Sequence, residues 1–228
     1  MSFTTFVYIV VAGSAGFLCY YALLWLPRQI RRDYRQGLQA LARAVEIREH
    51  HTTGSARLRA HYAAAIAKRL RLPARMVQDI EFAALLQEMG KVSIPYAILN
   101  KQAPLTNEEQ EVLKLHSVLG QRMVEQVPSL QRLAILIRHH HENWDGSGYP
   151  DGLQAEEIPL ASRILHAVGD YADALREKNL DDFSQRLQAA MELNSGRGTR
   201  YDPQVCDLLQ AIVRAEASRQ ANLSRDER

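Results

Sequence analysis

Arg138 to Ile158 reads RHHHENWDGSGYPDGLQAEEI, and the remainder of the chain is best understood outward from it. Just before it, Leu130, Leu133, Ala134 and Ile137 recur at helical spacing. Three and four residues further along that face come His140 and His141. Two neighbouring imidazoles therefore reach the inner end of an apolar helix, followed by the carboxylate of Glu142. Gly146, Gly148, Pro150 and Gly152 then turn the chain into a loop. Adjacent imidazoles fill a core poorly and bind zinc, iron, manganese or nickel well. A solvated basic helix end is the plainer reading of the same histidines.

The 228 residues suit one domain of ordinary size plus an N-terminal segment. A net charge of +2 gives no case for nucleic acid as a partner. Cys19 and Cys206 lie far apart in unlike contexts, which argues against a disulfide framework and fits a reducing compartment.

Phe3 to Leu26 carries no Asp, Glu, Lys or Arg and is long enough to cross a bilayer as a helix. A cleaved signal peptide would carry a positive n-region, and Met1 to Phe6 has no charged side chain. Tyr20, Tyr21 and Trp25 gather toward one end, as interfacial aromatics do. Arg28, Arg31, Arg32 and Arg35 follow, so the positive-inside rule puts everything after Leu26 in the cytoplasm. The predicted organisation is a transmembrane anchor over 1–27, a connecting helix over 28–50, a globular domain over 51–216 and a frayed polar tail over 217–228. Tyr34, Leu38, Leu41 and Val45 follow a short heptad-like spacing, a seam on which two copies could pair. A helix packed on its own domain accounts for the same spacing equally well.

Beyond the anchor, Ser55 to Arg71 reads as a helix with Leu58, Tyr62, Ile66 and Leu70 inward. Arg75 to Glu88 reads as another, burying Met76, Ile80, Ala83 and Ala84 and stopping at Gly90. Thr106 to Glu109 is a capping box opening a helix to about Gln126. Asp202 and Pro203 start the last strong helix as N-cap and first helical residue. With no strand run, the fold class is all-α, a bundle of about seven or eight helices behind one membrane helix.

HHENWDGSGYPDGL, followed by IPLASRIL and VGDYADAL, resembles the signature of HD-GYP proteins, bacterial phosphohydrolases that degrade cyclic di-GMP. The resemblance runs from about Ala40 to Val213 and takes in AALLQEMGKVSIPYAILNK and GRGTRYDPQV. It implies an HD-domain helical bundle, a divalent metal cofactor (Fe, Mn, Ni or Zn) and ligands at Ser55, Gln87, Glu88, His116, His140, His141 and Asp170. It also implies cyclic di-GMP or a related nucleotide as ligand, and the bacterial inner membrane as the anchor's location. Lys91 stands where the family places a cation near substrate phosphate. The loop of Asp145, Gly146, Gly148, Tyr149 and Pro150 matches one associated with GGDEF-type partner proteins.

The HD half departs from the pattern. Ser55 stands where a histidine is usual, and the paired His-Asp is Gln87-Glu88. A hydroxyl and an amide are weak ligands for metals that imidazole suits, and Glu88 reaches one methylene further than Asp. His50, His51 and His61 are nearby candidates to compensate. After Leu175 the family's arginine- and tyrosine-containing segment is absent, and the chain runs through Arg176 to Asp182 into the next helix. The expectation is at most one bound ion per chain and little or no catalysis, with the protein serving as a nucleotide- or partner-binding module. An active phosphodiesterase with a reduced ligand set, and an HD-type phosphohydrolase on another nucleotide, are the alternatives.

Overall fold

The computed structural model describes residues 2–49, 54–175 and 182–226, and these are helical with no strand among them. The chain divides into two units, Met1–Ala40 and Leu41–Arg228. The first contains α1 (Phe3–Tyr20), a π-helical turn (Tyr21–Trp25) and the start of α2 (Leu26–Arg48). Pro27 has no N–H to continue the α ladder, and the π turn lies just ahead of it, the Leu26 N–H reaching Tyr21 O. Tyr21 stacks on Trp25 with ring centroids 4.9 Å apart. The helix is long and apolar enough to cross a membrane, with a mean hydropathy of 1.9 over its most apolar window. In the proposed seam, Leu38 and Val45 are buried while Tyr34 and Leu41 are exposed.

The second unit is built around α3 (Ser55–Arg69), which packs on α4 (Ala74–Leu86), α9 (Leu160–Ala174) and α11 (Pro203–Asp226). Its buried face runs through Ala56, Arg59, Ala60, Tyr62, Ala63, Ile66 and Ala67. The sequence reading put Leu58 and Leu70 on that face; both are only half-buried, because Arg59 and the alanines turn the helix toward its neighbours. Small residues let α4 and α9 approach closely, as tight packing requires. Tyr62, Ile66, Ile80, Leu85, Leu133, Ile137, Ile164 and Leu165 are fully buried, each contributing roughly 1.5–3 kcal/mol. Met76 does not join them: it is exposed, on the outer face of α4.

The helix expected from the Thr106 capping box is present as α6 (Asn107–Lys114), and both halves of the box are made. It does not run to Gln126 unbroken. Leu115 interrupts it, and α7 (His116–Glu125) starts afresh with His116 in its first turn. α8 (Gln131–Arg138) packs on α7 and ends at the histidine run. The short α5 (Tyr96–Leu99) follows a 3-10 turn at Met89–Ser93. That turn lies against α7 at Gly90, where a Cβ would come within 1.9 Å of His116 O, so only glycine fits.

Asp182 caps α10 (Phe183–Glu192) by accepting from the backbone of Ser184 and Gln185. Asp202 accepts from Gln204 N at the start of α11, as its sequence position suggested. That helix continues to Asp226, past Ala217, where fraying was expected from composition. A polar knot ties it to the core: the Tyr62 hydroxyl donates to Glu216 Oε2 at 2.8 Å, and Arg186 donates to both the Tyr62 oxygen and Glu216. His50, His51 and the segment 176–181 lie outside the described residues.

Candidate metal centre

The break at Leu115 has a direct consequence for chemistry. It lets His116 Nδ1 donate to Leu113 O at 2.7 Å, closing the end of α6 and fixing the ring. His140 does the same one helix away, its Nδ1 donating to Ile137 O at the end of α8. A carbonyl can only accept, so both rings carry their proton on Nδ1 and present a bare Nε2 lone pair. The two Nε2 atoms lie 3.3 Å apart, and His141 Nε2 is 3.2 Å from that of His116. Three nitrogens within 4.8 Å of one another form a group able to hold a metal ion.

Electrostatics keep these rings neutral. Burial, and then the neighbouring His116, pushes His140 down to about 3. Burial also lowers His116, and burial with the adjacent His140 holds His141 well below the ordinary histidine range. Neutral imidazole is the ligating form, so the donor set fits one divalent ion. His116, His140 and His141 would hold it, and it would supply Lewis acidity and charge for a phosphate oxygen.

The GYP loop completes the wall. Tyr149 N donates to His141 O at 3.2 Å, and the Tyr149 ring stacks on the His141 imidazole at 4.9 Å. Gly148 permits this approach, since a Cβ there would lie 2.1 Å from Asn143 N. Gly146 takes φ +84, a left-handed conformation that glycine adopts freely. Asp145 accepts from Ser147 and its own N–H donates to Thr199 O, fastening the loop to the turn before α11. Pro150 is half-buried, and Asp151 is gripped by both Arg138 and His139. Glu142, fully buried, accepts from Asp151 N.

The other side of the site is different. Glu88 follows α4, buried, with Oε2 3.7 Å from His116 Nε2 and 2.9 Å from Lys91 Nζ. Lys91 also pairs with Glu49 at 2.8 Å, so its ammonium is shared between two carboxylates. Burial would raise the Glu88 pKa, but Lys91 and then Arg59 outweigh it and hold the carboxyl well below its usual range. Gln87 is buried with its Oε1 unpartnered among the described residues, its amide nitrogen lying against Gly169 of α9. The Ser55 hydroxyl donates to Glu46 Oε1 at 2.9 Å; Glu46 also accepts from Gly54 N and Ala56 N, so its charge caps α3.

Asp170 stands apart from the imidazole group. Its Oδ2 accepts from Arg200 and from the Tyr201 hydroxyl, each at 2.6 Å, and faces His166 Nε2 at 3.6 Å. His61 is bonded to Glu216 and is not part of the group either. The sequence reading missed Glu46, Glu49, Arg59, His166, Arg200 and Tyr201. His166 was findable, four residues before Asp170 on one helix face. Arg59 was visible as a charge in line with Tyr62, Ala63 and Ile66.

The HD domain family profile matches residues 39–205. The cyclic di-GMP phosphodiesterase response regulator RpfG of Xanthomonas campestris pv. campestris is 38% identical over 190 residues, covering 82% of this chain and 50% of its own. A cyclic di-GMP phosphodiesterase of Thermotoga maritima is 39% identical over 145 residues, 62% of this chain and 39% of its own. The chain thus spans half or less of the length of these curated relatives. Among solved structures, a cyclic GMP-AMP specific phosphodiesterase of V. cholerae superposes with a TM-score of 0.63 at 19% identity, over 78% of this chain and 48% of that one. At that identity the likeness establishes the fold alone.

Proposed function

The chain belongs to the HD domain family, in its HD-GYP group, and from that premise we propose that it is a membrane-anchored protein of cyclic di-GMP signalling with little or no phosphodiesterase activity. The observation that carries this reading is the asymmetry of the site. Three neutral imidazoles converge, while Ser55 is committed to Glu46, Lys91 to two carboxylates, and Asp170 to Arg200 and Tyr201. Phosphodiester hydrolysis at neutral pH draws on a metal-activated hydroxide and on cations at the phosphoryl oxygens. One ion at three imidazoles serves nucleotide binding better than it serves both of those tasks. The apolar N-terminal helix is the anchor, and Arg28, Arg31, Arg32 and Arg35 set the domain on the cytoplasmic side. The loop of Asp145, Gly146, Gly148, Tyr149 and Pro150 is the surface for a GGDEF-type partner.

The test is to incubate the full-length chain, purified in detergent and supplied with manganese or zinc, with cyclic di-GMP. Bound and converted nucleotide are then measured in one preparation. Recovery of bound, intact nucleotide is the expected result. The second reading, an active enzyme with a reduced ligand set, is favoured by Glu88 lying within 3.7 Å of His116, close enough for the carboxylate to join the same ion. Hydrolysis that is lost on Glu88→Gln would establish it. A third, an HD-type phosphohydrolase on another nucleotide, is checked in the same assay with cyclic GMP-AMP, the substrate type in the name of the superposed V. cholerae enzyme.

A further inference from the structure

Arg59 is a charged residue of this cleft that the proposed function does not use. Its side chain is 3% exposed, on the α3 face that packs against α4 and α9. A guanidinium is always charged and is costly to bury without compensation. The compensation is visible: Nη1 lies 3.9 Å from Glu88 Oε1 and 3.8 Å from Asp173 Oδ1. Nε has no hydrogen-bond partner among the described residues. The contacts are thus of charge with charge rather than close hydrogen bonds.

The arrangement around Glu88 gives this burial a meaning. The two carboxylate oxygens face different cations. Oε2 is turned toward the imidazoles and Lys91, and Oε1 toward Arg59. A carboxylate shared between two metal ions presents one oxygen to each. Here the first oxygen can still serve an ion at the imidazoles, but the second already faces a fixed positive charge. Asp173, which faces the same guanidinium nitrogen, is about one helical turn beyond Asp170 on α9.

We propose that the Arg59 guanidinium occupies the place of a second cation in this cleft, balancing Glu88 and Asp173 without metal and limiting the site to a single ion. The inference rests on the HD-GYP reading above and deepens it. It names the residue that closes the second position, where the sequence alone pointed only to missing ligands. It also implies that the cleft is stable without metal on its α3–α4 side, because that side carries its own counter-ions.

The experiment compares full-length wild type, Arg59→Met and Arg59→Lys in detergent, each dialysed against manganese or zinc. Two quantities are read: ions per chain by elemental analysis, and the unfolding midpoint with and without chelator. In wild type and Arg59→Lys, about one ion is expected, and the midpoint moves only with that ion. In metal-free Arg59→Met the midpoint falls by roughly 5–15 °C, since a buried carboxylate loses a partner. Added metal restores much of the fall as a further ion is taken up, to about two per chain. If Arg59→Met does not fold, Arg59→Met/Glu88→Gln decides: recovery of a cooperative transition supports the counter-ion role, and continued unfolding overturns it. Unchanged stoichiometry in Arg59→Met, with a loss of stability that metal does not repair, also overturns it. Two tightly held ions in wild type would instead defeat the single-ion reading on which the inference rests.

Discussion

The two halves of the candidate metal centre meet at His116, and they are built on opposite principles. On the α7–α8 side, backbone carbonyls at two helix ends fix the tautomers of His116 and His140, leaving bare nitrogens aimed at one point. The three rings of that group are kept uncharged by burial, and the ion pairs nearby, Arg138 and His139 with Asp151, leave them out. On the α3–α4 side the charged groups facing the site are answered by other side chains: Glu88 by Lys91 and Arg59, Lys91 by Glu49 and Glu88. One half is an open ligand set and the other a closed ion-pair network. The lesson is that a donor is withdrawn from an ion as much by a permanent partner as by its replacement.

Substitutions on each half should therefore differ in kind. The largest effect is expected for His140→Ala, which removes a ligand whose lone pair has no other use. Metal content of the purified chain should fall from about one ion to none, and the metal-induced rise in Tm should vanish with it. Retention of the ion would mean that the three imidazoles are not its site. Next comes Gly148→Ala, whose Cβ would stand 2.1 Å from Asn143 N and force the loop off His141. Overpacking of that sort costs roughly 1–3 kcal/mol, seen as a Tm lower by several degrees. A normal Tm would show that the loop yields without cost.

One turn beyond Arg59 on α3, Tyr62→Phe tests whether the α11 knot is independent of the site. It removes one hydroxyl donor to Glu216 and should cost about 1 kcal/mol in denaturant unfolding while leaving metal content unchanged. The smallest effect concerns Asp151, whose hydrogen bonds from Arg138 lower its pKa from 3.8 to about 2. A depressed folded-state pKa means stability that is present above 3.8 and is lost as pH falls toward 2. Asp151 is exposed, so solvent screens the pair and the slope is shallow. Asp151→Asn should remove that slope, and an identical acid-unfolding curve in the variant would place the acid sensitivity elsewhere.

Much of the α7–α8 side was legible in the sequence because its signals are local. The face of Leu133, Ala134 and Ile137 leads straight to the histidines, and the glycines and Pro150 announce the loop. The capping boxes and Asp202 likewise act within three residues of themselves. What was not legible is pairing across distance. The Glu46 bond to Ser55 closes over nine residues, that of Asp170 to Tyr201 over 31, and Arg59 meets Asp173 from another helix. Periodicity assigns a residue to a face but does not say which charge waits opposite. The same limit explains Met76, which shares a periodic run with Ile80 yet lies outside the core. It also explains the single helix expected to Gln126: nothing local to Leu115 signals the interruption, and its use is to let His116 bond Leu113 O.

The central claim, one open ligand set beside one closed ion-pair network, is tested most directly by counting ions. The full-length chain would be saturated in turn with manganese, iron, nickel and zinc, desalted and submitted to elemental analysis, with His140→Ala as the zero. About one tightly held ion per chain, of a metal that imidazole suits, is the predicted result. Two or more lost together on His140→Ala would contradict it, because a second ion at this site needs Glu88 or Asp170 to abandon the partners it has here, whereas one held at the separate group of His139, Glu142 and Asp151 would survive that substitution.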